Sequence, residues 1–94
     1  DVPELADAIQ LHKPAGIILA HNHLSSSVEP SEEDIFTTQK IGIICEVNSV
    51  KLIDHVIVSG SNAYSLEREG LLEDILKIAR LNNLFNTIKK LKEN

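Results

Sequence analysis

Apolar side chains change their period several times along this chain, and each change marks an element. Over residues 3–12 the apolar positions are Leu5, Ala8, Ile9 and Leu11, set among polar neighbours. That is helical spacing. Pro3 suits a first turn, and Pro14 lies just past the predicted end. Residues 15–23 carry Ile17, Ile18 and Leu19 at the centre of an apolar run that predicts a buried strand. Residues 24–30 have loop composition. Residues 31–47 predict a helix, with Ile35, Thr38, Ile41, Ile44 and Cys45 near one face. Residues 50–59 are apolar on both sides, as in an inner strand of a covered sheet. Strict alternation puts Asp54 with Leu52, Val56 and Val58, and His55 with Ile53 and Ile57. Residues 60–62 read as a turn and 63–66 as a short strand. From Gly70 the pattern is helical again, through Leu72, Ile75, Leu76, Ala79, Leu81, Leu84, Phe85, Ile88 and Leu91. Asn82-Asn83 is a candidate break between two helices. This order predicts an α/β (α+β) fold, a mixed β-sheet flanked by helices.

Composition narrows the picture. Ninety-four residues cannot hold two independent cores. An apolar fraction of 43% with 24% charged residues argues for a folded domain and against disorder. No apolar run is long enough to cross a membrane. The acidic start lacks the shape of a signal peptide, and one cysteine, Cys45, permits no internal disulfide. Both features point to a cytoplasmic setting. From residue 77 onward five basic side chains face one acid, a balance of +4, so the first 76 residues carry −9. Such a body repels a phosphate backbone, and aromatics are only 3%, so nucleic acid is not an expected partner.

The chemistry concentrates in two short segments. His21-Asn22-His23 ends the first predicted strand, where alternation aims both imidazoles the same way. Ser31-Glu32-Glu33-Asp34 opens the next helix after a loop. Ser31 is a good N-cap, and a carboxylate in a first helical turn stays ionised. Two histidines and one aspartate make the three-ligand count of a catalytic zinc site, with a fourth position open. Each part alone has a plainer reading, a structural His-x-His and a capping box. Read together, the ligands are His21, His23 and Asp34, the cofactor is Zn2+, and Ser31 is a catalytic donor to water or an oxyanion.

These residues resemble the JAMM (MPN+) metalloprotease motif, and most closely its bacterial RadC-like branch. The resemblance rests on residues 16–23, Pro30-Ser31-Glu32-Glu33-Asp34, residues 52–58 and residues 64–70, and it covers about residues 3–72. It implies an MPN/JAB-like fold, with a partial MPN domain over residues 1–71 and a C-terminal helical extension over 72–94. It also implies a peptide or isopeptide substrate. Leu24-Ser25-Ser26 stands where the family pattern has Pro-Ser-Gly. The family's general-base glutamate lies on a strand upstream of the first helix, a place that precedes Asp1, so the chain is expected to be N-terminally truncated and inactive alone. Glu4 falls on the helix and is not its equivalent. Asp54 and His55 belong to the branch pattern, either as a buried pair fixing strands or a loop, or as support behind the metal ligands.

The leading expectation is therefore a zinc metallohydrolase domain. The alternatives are a non-catalytic MPN-like interaction module, and a DNA-repair protein as the family label suggests, which the acidic body disfavours. The apolar stripe of the last helix must be buried on the domain or against a second copy. An exposed sheet edge offers another route to a homo-oligomer.

Overall fold

The structure is a computed structural model that describes residues 2–24 and 27–93. The order is α1 (Val2–His12), β1 (Gly16–Asn22), α2 (Glu32–Val47), β2 (Lys51–Ser59), β3 (Asn62–Ser65) and α3 (Leu72–Glu93). One three-stranded sheet has the order β1-β2-β3, with β1 parallel and β3 antiparallel to the central β2. The mixed α/β arrangement read from the sequence is therefore present.

Local chemistry explains where the elements stop. Lys13 adopts φ 45° and its N–H bonds to the Ile9 carbonyl, ending α1 one residue before Pro14. α2 ends in a Schellman motif around Ser49 at φ 56°: Val50 N–H reaches Cys45 O at 2.8 Å and Ser49 N–H reaches Glu46 O at 3.1 Å. The β2–β3 hairpin closes through Gly60-Ser61, with Gly60 at the positive φ of 59° such a loop needs.

The core lies between α2 and the sheet, closed by α1 and the start of α3. It gathers Ile9, Ile41, Cys45, Val50, Leu52, Ile57, Leu66, Leu72 and Ile75. α2 supplies a stripe of Asp34, Thr38, Ile41, Gly42 and Cys45, one face of a helix. Gly42 lets α3 approach, since a Cβ there would meet Leu76 Cδ2 at 2.5 Å.

Three sequence expectations need correction. β1 was expected to be buried throughout, but Ile18 is 62% exposed. Among the described strands it lies at the edge of the sheet, and its Ile18 side points away from α2. Alternation in β2 is broken by a shift of register between Ile17 and Ile18, which leaves Ile53 without a partner on β1. Leu52 thus joins His55 and Ile57 on the buried side, and Ile53 turns outward. Finally, Asn82-Asn83 does not break the last helix: α3 runs unbroken over 22 residues. Asparagine in a helix interior costs only a fraction of a kcal/mol, ~0.7 at most.

Asp54 pins the segment after β3. Its Oδ1 accepts the N–H of Glu67 at 3.0 Å and of His55 at 2.7 Å, and its Oδ2 accepts the Ser65 hydroxyl. Ser65 Oγ in turn accepts Arg68 N–H. Of the two alternatives left open for Asp54 and His55, these bonds support loop fixing for Asp54, while the His55 ring bonds to Thr38. Asp54→Asn turns a donor group toward these donors and is expected to cost about 1–3 kcal/mol, read from urea unfolding. An unchanged midpoint would show that the turn holds without it.

Candidate metal centre

The candidate ligands meet at the carboxyl end of β1, where open α/β sheets commonly bind ligands. β1 pairs His21 with Ile57, and the His23 N–H continues the ladder to Val58 O at 2.8 Å. The strand end is thereby held by main-chain bonds. α2 begins opposite it with Ser31 as N-cap in extended conformation. A complete capping box fixes Asp34: its N–H donates to Ser31 Oγ at 3.1 Å, and its Oδ2 accepts Ser31 N–H at 2.8 Å.

Asp34 sits between the two imidazoles. His21 Nδ1 lies 2.6 Å from Oδ1 and His23 Nε2 lies 2.8 Å from Oδ2. The carboxylate is 1% exposed, His23 15% and His21 48%. One ligating atom from each of the three falls within 4.8 Å of the others, so the group can hold a metal ion.

Two details favour a cation at this point. His23 Nδ1 lies 3.0 Å from the Ser27 carbonyl, an acceptor only, so Nδ1 carries a proton. The other nitrogen, Nε2, then faces a carboxylate and needs either a second proton or a metal. A ligating histidine held from behind by a carbonyl is the usual arrangement of metal sites. The second detail is Asp34 Oδ1, a buried oxygen with no hydrogen bond among the described residues, although His21 Nδ1 is close. The contact lacks hydrogen-bond alignment, and a shared cation satisfies both atoms.

Electrostatics agree. The Ser27 carbonyl, and then Asp34, raise the His23 pKa above its ordinary value. Burial pushes the Asp34 carboxyl up, but the Ser31 amide and hydroxyl and the neighbouring histidines outweigh it and hold the group below the usual carboxylate range. Asp34 is thus an anion at neutral pH.

His55 lies behind the ligands, its ring parallel to that of His21 with centroids 6.2 Å apart. The sequence pattern gives Thr38 only a place on the packed face of α2, yet it connects this histidine to that helix. Its hydroxyl donates to Asp34 O at 2.7 Å and accepts from His55 Nδ1 at 2.7 Å. Its position one turn after Asp34 was the available signal. Burial lowers the His55 pKa, so the ring is neutral. A cavity of about 430 Å³ opens beside His21 and His55, lined also by Leu5, Leu19, Glu33, Thr37 and Ile41. Cys45 lies in the core away from the ligands, where burial raises its pKa. Its reading as packing fits.

A sequence-family profile described as "RadC-like JAB domain" matches residues 2–71. The chain belongs to the RadC-like JAB family. Curated relatives agree. A "UPF0758 protein" of Variovorax paradoxus (strain S110) is 43% identical over 61 residues, covering 65% of this chain and 27% of that protein. One of Streptococcus sanguinis (strain SK36) is 48% identical over 58 residues, 62% of this chain and 26% of the relative. One of Coprothermobacter proteolyticus is 36% identical over 72 residues, 77% of this chain and 31% of the relative. The chain therefore spans about a quarter to a third of the length of these relatives. The RadC-like match includes every candidate ligand and ends one residue before α3 begins. Among the described residues, no helix is long and apolar enough to cross a membrane.

Proposed function

We propose that this RadC-like JAB domain serves a zinc-dependent metallohydrolase that cleaves peptide or isopeptide bonds. His21, His23 and Asp34 hold the metal, and Ser31 assists. The observation that carries the reading is the Asp34 carboxylate, buried between two imidazoles, with Oδ1 lacking a hydrogen bond among the described residues. Two nitrogens and one oxygen suit zinc and leave a fourth position for water or substrate.

Zinc, when bound, supplies Lewis acidity toward a carbonyl and makes water acidic near neutral pH. The chain's own residues do the remaining work. The capping box holds Asp34 charged and in place. The Ser27 carbonyl orients the His23 ring so that Nε2 is presented. Ser31 Oγ accepts the Asp34 N–H, which leaves its own O–H free to donate to an oxyanion. The cavity beside His21 gives room for a substrate side chain.

Metal analysis tests the assignment. The wild-type chain is expected to take up about one zinc, and His21→Ala combined with His23→Ala to take up none. Uptake is expected to weaken with acidification already near neutrality, because His23 Nε2 must shed a proton whose pKa lies above 6.5. Equal zinc content in wild type and double variant would refute the ligand set. Hydrolysis of a peptide library by the zinc-loaded protein, absent in the double variant, supports the peptidase reading. Zinc binding with no turnover would instead favour a metal-bearing interaction module.

A further inference from the structure

We infer that the exposed half of α3 pairs with the same helix of a second copy, antiparallel and about a two-fold axis near residue 83. α3 packs on the domain only through its first turns, where Leu72, Ile75 and Ala79 are buried. Beyond Ala79 none of its described residues is buried, although Leu81, Leu84, Phe85, Ile88 and Leu91 are large and apolar. The helix lies outside the RadC-like match, so its surface is a feature of this chain and not of the family domain.

Spacing and charge select the occupant. Asp74, Ile78, Leu81, Phe85, Ile88 and Lys92 follow one another at steps of four, three, four, three and four residues. That is an unbroken heptad seam, and it runs on the helix side away from the buried stripe. All six are exposed, with Phe85 at 70%. The seam is self-complementary in one direction only. An antiparallel partner sets Ile78 against Ile88, Leu81 against Phe85, and Asp74 against Lys92. A parallel partner sets Asp74 against Asp74 and Lys92 against Lys92. The antiparallel pair also opposes the helix dipoles. A two-fold axis needs this isologous matching. Lys89 and Lys90 stand off the seam, so pairing does not bring them face to face. Each apolar seam residue offers on the order of 100 Å², and Leu84 and Leu91 widen the stripe, which approaches the ~800 Å² per partner of a standard interface.

The test is the oligomeric state of the chain, followed by light scattering from micromolar to millimolar concentration. A monomer–dimer equilibrium is expected. Phe85→Glu, an exposed site that leaves the fold intact, is expected to raise the dissociation constant about 30-fold or more. Asp74→Lys and Lys92→Glu are each expected to weaken the dimer a few-fold, and the two together to restore it. Direction is read by oxidation: Ile78→Cys with Ile88→Cys is expected to give a disulfide-linked dimer, and Ile78→Cys alone to give none. A chain that stays monomeric throughout overturns the proposal. So does cross-linking by the single cysteine, or a monomer whose seam is titrated only by anionic phospholipid vesicles.

Discussion

Asp34→Ala is expected to abolish metal uptake and to lower stability, whereas Asp34→Asn is expected to abolish uptake at much smaller structural cost. The residue has two separable jobs. As an anion it faces His21 and His23. As an N3 side chain it accepts the Ser31 N–H and completes the cap of α2. Alanine removes both, and loss of such a cap costs about 0.5–2 kcal/mol. Asparagine keeps an acceptor oxygen for Ser31 while removing the charge. Affinity for zinc is expected to fall by more than about 100-fold in either variant, since losing even a partner behind a ligand costs about 10–100-fold. Calorimetric titration with zinc and urea unfolding of both variants separate the two jobs. Equal zinc affinity in wild type and Asp34→Asn would remove Asp34 from the ligand set.

The same comparison has a pH signature. The folded Asp34 carboxyl titrates below its ordinary value of 3.8. Its contribution to stability is therefore present above that ordinary value and is lost as pH falls through the lowered one. The acid limb of the stability curve is expected to be shallower in Asp34→Asn.

Ile57→Ala is expected to cost about 2–5 kcal/mol, the range for truncating a large aliphatic core residue. Ile57 is wholly buried in the central strand and belongs to the core cluster. For a domain of this size such a loss lowers the melting temperature by roughly 8–40 °C. Ile18→Ala, on the neighbouring strand but exposed, is expected to change stability by less than about 0.5 kcal/mol. Thermal melts of the two variants decide this. Similar losses would mean that the Ile18 side of the sheet is covered in solution. Ile57 is also the register partner of His21. Its truncation is thus expected to loosen the ligand strand and weaken zinc binding beyond the stability loss.

That His21, His23 and Asp34 come together is legible in the sequence because each part is specified within a few residues. His21 and His23 need only strand alternation, and Ser31 and Asp34 need only the capping box. The elements followed from hydrophobic period for the same reason. What stayed hidden depends on contacts across the chain. The irregularity at Ile53 arises where β1 and β2 pair, and nothing in Leu52-Ile53-Asp54-His55 announces it. Ile18 sits inside a continuous apolar run, and only its place on an edge strand leaves it open. Thr38 looks like any small residue on a packed face until His55 arrives from β2. Asn82-Asn83 has loop preference, but the small cost of asparagine inside a long helix does not interrupt α3.

The Ser27 carbonyl that orients His23 is a main-chain group, which every residue type supplies. His23 is fixed on one side by the Val58 ladder and Asp34 on the other by its own cap. Between His23 and the cap residue Ser31, the described contact that orients a candidate ligand is this main-chain carbonyl. Leu24-Ser25-Ser26 stands where the family pattern has Pro-Ser-Gly, and Ser25 and Ser26 lie outside the described residues. A rim held by a main-chain carbonyl can change its side chain there without moving His23, so the loop and the candidate ligands are free to vary separately.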